Sequence, residues 1–206
     1  MAKASISSGL VVLLNAVWYL VTLAMVLTAC LAVFTAFHDV RNAELDIPVS
    51  FSLDPRALPV SAPSLGIEGA RIEDARGSLK FSPPPGTSLV AQILLGLTLM
   101  LAFALLVLGQ LRAVFRTVRD GRPFVPANAS RIRWIAFAVM AGELARAAVM
   151  YSANSHVMTH FFAQGLQFDA SPDLNVFTIV HGLIILAIAE VFRAGTRLDE
   201  DQSLTI

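Results

Sequence analysis

Four long apolar runs divide this chain, and the polar stretches between them differ in character. Residues 9–37 contain no charged side chain and are interrupted only by Asn15 and a few threonines. At about 1.5 Å of helical rise per residue, such a run exceeds the roughly 20 residues needed to cross a bilayer core. Residues 1–37 therefore predict an N-terminus and a first transmembrane helix, tilted or projecting past the surface. A second run covers 88–111, with Gln92 and Gln110 near its ends, a third covers 132–152, and a shorter fourth, extendable at either end, covers 176–192.

Between the first two runs, residues 38–87 mix charge with Pro and Gly, and Ile47, Val49, Phe51 and Leu53 alternate with the period of a half-buried strand. The stretches 67–72 and 78–81 look like two more short strands, split by Gly77 and ended by the prolines at 83–85. A connection this long predicts a small folded unit, a β-hairpin cap over the helix ends, with a ligand-binding domain as the sharper reading. Residues 153–175 are polar, and 193–206 form a tail of mixed charge.

Composition strengthens the membrane reading, because an apolar fraction of 56% and a mean hydropathy of +0.69 are too high for a small soluble domain. The net charge of zero hides an asymmetry: residues 112–133 hold six Arg against one Asp. Short loops rich in Lys and Arg stay on the cytoplasmic side, so the basic connection 112–131 orients the chain. With four spans, both termini are then inside, and 38–87 and 153–175 are outside. The predicted fold is an all-α membrane protein, a four-helix transmembrane bundle with a small β-containing extracytoplasmic loop.

Arginines also bind phosphate in nucleic acids. Orientation already explains these, so direct nucleic-acid binding is not expected, and the lipid bilayer with its anionic headgroups is the natural partner. The sequon Asn128-Ala129-Ser130 carries no meaning on the cytoplasmic side. Asp120 to Pro123 supply turn and breaker residues after a helix continuing through Arg112, Arg116 and Arg119, and Asn128 or Ser130 can cap the next helix.

A lone Cys30 excludes an intrachain disulfide. Leu27-Thr28-Ala29-Cys30 matches a lipobox, but the residues after it stay apolar, so an uncleaved helix is expected. Within the third run, Glu143 and Arg146 lie at i, i+3, where charge is costly and usually paired or functional. An ion pair holding the bundle together is the first reading and a proton or substrate path the second, with Tyr19 or Thr22 expected at a similar depth. Ala138, Ala141, Gly142 and Ala145 nearby permit close helix approach, which makes the third helix central.

His38, His156, His160 and His181 all map to the outer side, the last opening the fourth span. Convergence from three helices, with Asp39, Asp169 or Asp173, is what a Zn or Cu site needs. It also arises from interfacial preference alone, so these are weak metal candidates. A haem between His156 or His160 and His181 is weaker still, and no cofactor is expected. No nucleophile and base stand at a recognisable spacing, so no enzyme is predicted.

Two stretches carry a family resemblance. They are Asp120-Gly121-Arg122-Pro123-Phe124, followed by Asn128 and Arg131-Ile132-Arg133, and Ala189-Glu190-Val191-Phe192-Arg193-Ala194-Gly195, followed by Leu198, Asp201 and Leu204-Thr205-Ile206. Together they resemble the bacterial domain of unknown function 2975, small four-pass membrane proteins. The resemblance lies in the cytoplasmic half, with no contribution from the long outer loop. It implies an inner-membrane location and a small helix-turn-helix regulator as a partner. Glu190 is expected within reach of Arg133, Arg131 or Arg112. Gly121, Arg122, Pro123, Phe124 and Glu190, with Leu204, Thr205 and Ile206, are then the candidate partner-binding surface. The specific activity stays unassigned. The predicted function is that of a non-enzymatic integral membrane protein that binds a cytoplasmic partner or sequesters a regulator in response to an envelope or membrane signal, and a transporter or channel component using Glu143 and Arg146 is the alternative.

Overall fold

A computed structural model describes the chain except residues 1, 39–43, 55, 57–59, 66, 71, 74, 84–88, 171 and 204–206, with backbone alone at 2–8, 60–63, 67–70 and 198–203. The described elements are α1 (Ala2–Phe37), β1 (Leu45–Leu53), β2 (Val60–Ala62), a 3-10 turn (Pro63–Leu65), β3 (Ile67–Ala70), β4 (Ala75–Phe81), α2 (Leu89–Arg119), α3 (Pro126–His160), β5 (Leu166–Asp169) and α4 (Val176–Ser203). All four α-helices are long and apolar enough to cross a membrane. The chain divides into two compact units, the first formed by Met1–Leu31, Leu94–Arg146 and Leu174–Ile206, the second by Ala32–Ile93 and Ala147–Asp173.

The first unit is helical. Many of its large apolar side chains are exposed, among them Leu13, Leu20, Leu23, Leu95, Leu183 and Ile184. Only 11% of the apolar window is buried in α1, α2 and α4, against 28% in α3, so α3 makes the most inward contact. Val114 of α2, Ile132 of α3 and Ala189 of α4 form a core joined by Ile185 and Phe192. The small residue that brings α3 and α4 closest is Gly182 of α4, whose missing side chain would overlap Met140 and meet the carbonyl of Ala136. Thr98 of α2 donates a hydrogen bond to Thr28 of α1 at 3.2 Å. Further along, the Arg112 guanidinium lies 5.0 Å from the Trp18 ring centroid and 5.9 Å from that of Tyr19. This is a cation–π contact of the kind that suits an aromatic pair at an interface.

The second unit holds the strands. β1 is central in a three-stranded antiparallel sheet of order β4-β1-β5, and β2 pairs with β3 separately. The register sets Ile47 opposite Leu79 and Phe51 opposite both Ala75 and Phe168. Because strand side chains alternate faces, the odd-numbered residues of β1 share one side. Ile47 and Val49 there are buried with Leu89 and Val157, bordered by Phe81, Ala153, Phe161 and Phe168.

Two expectations change here, and one helix runs past its apolar stretch. Gly77 does not split two strands but lies inside β4 opposite Val49, where any side chain would crowd the Phe51 ring. β5, in a stretch read only as polar, completes the sheet. The helix containing the third apolar run continues past 152 to His160, because Ala153 and Val157, one turn apart, face the sheet core although the intervening residues are polar.

Candidate functional site at the α2–α3 turn

The α2–α3 turn is closed by backbone geometry. The amide of Gly121 donates to the Val118 carbonyl at 3.1 Å and that of Arg122 to Thr117 at 3.0 Å, while Gly121 has φ of 74°. This is a Schellman cap, in which the residue after the helix must be left-handed, and glycine takes that conformation without steric cost. Pro126 then opens α3 at the position where a missing N–H costs nothing.

Asn128 does not cap α3, as the sequence suggested; it lies in its first turn, fully buried. Its amide nitrogen donates to the Thr117 hydroxyl at 2.7 Å and to the Pro123 carbonyl at 2.9 Å, and its oxygen accepts from Arg131 at 3.0 Å. One side chain thus ties the end of α2, the turn and α3 together with both its donors and its acceptor engaged.

Phe124 fastens the turn to α4. Its ring lies 5.8 Å from that of Phe192, and a Cβ on Gly195 would stand 2.9 Å from Phe124 Cδ1. Gly195 is therefore the place on α4 where an aromatic ring can lie against the helix. Arg122, by contrast, is exposed beside the fixed turn.

Glu190 meets Arg133 and Arg193, with its oxygens accepting at 3.0 and 2.6 Å. Of the other two arginines within its expected reach, Arg131 is held by Asn128 and Arg112 lies over Trp18 and Tyr19. Beside this pair a cleft of about 290 Å³ is lined by Pro126, Ala129, Ser130, Arg133, Arg193, Thr196 and Arg197. The tail residues Leu204, Thr205 and Ile206 lie outside the described residues.

The model of the family described as protein of unknown function (DUF2975) matches residues 75–206. The chain belongs to this family. No curated protein and no solved structure matches it. The DUF2975 match includes the whole turn, α3 and α4. It also reaches into the long connection before α2, taking in β4, so that connection does contribute to the resemblance, contrary to the expectation from the sequence.

The other DUF2975 candidates fall into separate places. Glu143 is 5% exposed, and both its oxygens accept from Arg146, at 2.9 and 2.6 Å. It also accepts the backbone N–H of Asn175 at 2.7 Å. Asn175 in turn caps α4, with Oδ1 accepting from Thr178 at 3.3 Å. The carboxylate therefore anchors the start of α4, where negative charge complements the helix dipole. Of the α1 residues expected at a similar depth, Tyr19 lies by Arg112, and Thr22 donates back to the Trp18 carbonyl.

His156 and His160 stack at 4.2 Å, and His38 stacks on Phe34 at 4.5 Å. His181 is exposed one turn into α4 rather than at its opening. Among the described residues no group of three or more His, Cys, Asp or Glu could hold a metal ion; Asp39 lies outside them.

Proposed function

We propose that this protein crosses the bacterial cytoplasmic membrane four times with both termini inside, and that it works by binding rather than by catalysis. Its cytoplasmic face docks a protein partner, of which a small helix-turn-helix regulator is the kind implied by the resemblance, and holds it at the membrane in response to an envelope signal. The exposed apolar side chains of the four helices support insertion, since a soluble monomer rarely shows so much contiguous apolar surface. The observation that carries docking is the locked turn: Asn128 and Phe124 fix it from within, so Arg122 is presented on a rigid support.

The same arrangement weakens the transport alternative. From Pro126 to Glu143 α3 rises about 25 Å, so if the bilayer core of about 30 Å begins near that turn, the Glu143–Arg146 pair lies toward its outer boundary. There it caps α4, and both carboxylate oxygens are engaged.

Affinity capture of the full chain from native membranes tests docking. A small DNA-binding protein should copurify with the wild type, and Arg122→Ala combined with deletion of residues 203–206 should reduce its recovery about tenfold, a loss of about 1.4 kcal/mol. An unchanged set of copurifying proteins would show that this surface does not dock a partner.

A further inference from the structure

The cleft between the first turn of α3 and the last turns of α4 has a chemistry that docking at Arg122 does not use. Its lining holds three guanidinium groups, Arg133, Arg193 and Arg197, together with Ser130 and the buried Thr196. The carboxylate that meets this set is Glu190, shared between Arg133 and Arg193, so among the described side chains two positive charges are left over. Arginine presents five N–H donors in a rigid fork that matches phosphate oxygens, and the positive end of the α3 dipole lies at the same turn.

Size and surroundings narrow the ligand. A volume of about 290 Å³ is at the bottom of the range of about 300–1,000 Å³ usual for whole small-molecule ligands, and suits a single phosphate group with a small substituent. Trp134 and Phe137 stand one and two helical turns beyond Ser130 on the same face of α3, 57% and 45% exposed and in edge-to-face contact with each other. They extend an apolar track away from the cationic cleft, the pairing of features that an anionic phospholipid presents in reverse.

We propose that this cleft binds the phosphate group of an anionic phospholipid of the inner leaflet, with Arg193, Arg197 and Arg133 as its donors and the acyl chain lying over Trp134 and Phe137. The lipid source rests on the four-pass reading above; the phosphate chemistry does not.

The test uses the full chain in a maltoside detergent, where orientation in a membrane plays no part, so its failure leaves the topology standing. Dihexanoyl phosphatidylglycerol should bind saturably and dihexanoyl phosphatidylcholine should not. Arg197→Gln, which leaves the Glu190–Arg193 pair in place, should weaken binding about tenfold, the loss of one charge-assisted hydrogen bond. Arg116→Gln with Arg119→Gln, removing equal charge from the end of α2, should leave it within about twofold, and gel filtration checks that each variant is folded. Binding of inorganic phosphate alone, with the same dependence on Arg197, would keep the phosphate site and assign it to a soluble ligand. Absence of saturable binding, equal binding of phosphatidylcholine, or equal weakening by the Arg116 and Arg119 changes would overturn the proposal.

Discussion

Replacing Glu143 with alanine should destabilise the protein by about 3 kcal/mol, the lower end of the cost of breaking a buried ion pair from one side. The lower end applies because Arg146 is 35% exposed and can recover part of its hydration. The variant loses two interactions at once: the bidentate contact to Arg146, and the acceptor for the Asn175 amide at the start of α4. Glu143→Gln keeps an oxygen that can accept from either, and should cost about 1 kcal/mol. Thermal unfolding in detergent, followed by the fluorescence of Trp18 and Trp134, distinguishes the two. Adding Arg146→Gln to Glu143→Ala should restore part of the loss, because the cation that Glu143 neutralises is then removed as well. Equal, small effects of Glu143→Ala and Glu143→Gln would show that the carboxylate does not secure α4.

The second large effect is expected at Asn128. Asn128→Leu keeps a similar volume but removes the three side-chain hydrogen bonds that Asn128 makes within the turn. The Pro123 carbonyl loses its Asn128 donor and Arg131 loses a charge-assisted partner, while Thr117 keeps its bond to the Val114 carbonyl. With about 1–3 kcal/mol for a buried group left unsatisfied and a similar amount for the charged bond, a total of about 3 kcal/mol is expected. Asn128→Asp should be nearly as damaging, because a carboxylate cannot donate to a carbonyl. The local consequence is measurable separately: the exposed bond after Arg119 should become trypsin-sensitive under conditions where the wild type resists cleavage. A variant that unfolds and is cleaved like the wild type would mean that Asn128 fills space without holding the turn.

These two residues also mark what a single sequence can and cannot convey. The four helices were legible because length and hydropathy are local properties, and the arginine-rich connection stood out by composition alone. Glu143 and Arg146 could be paired on paper because i, i+3 spacing fixes their separation. The third partner, the backbone of Asn175, lies 32 residues away and carries no sequence signal. Asn128 looked like a helix cap because Asn before an apolar run usually is one; burial against Thr117 redirected its side chain. β5 was missed for a similar reason. Leu166 to Asp169 alternate apolar and polar over only four residues, and their partner strand is more than a hundred residues earlier. The extension of α3 to His160 is amphipathic rather than apolar, so hydropathy marks only the part of the helix up to 152. Gly195 belongs to the stretch that carries the family resemblance, and only its contact with Phe124, more than seventy residues earlier in the chain, explains the glycine there.

The docking proposed for the turn and the tail, and the inner-leaflet lipid proposed for the cleft, require that they face the cytoplasm. Cys30 is the chain's one cysteine, so a Cys30→Ser background allows single reporters to be read cleanly. In spheroplasts treated with a membrane-impermeant maleimide, Ser82→Cys, just after β4, should label at once. Arg122→Cys should label only after the membrane is permeabilised. Labelling of Arg122→Cys in intact spheroplasts, with Ser82→Cys protected, would contradict the orientation and the cytoplasmic docking surface built on it.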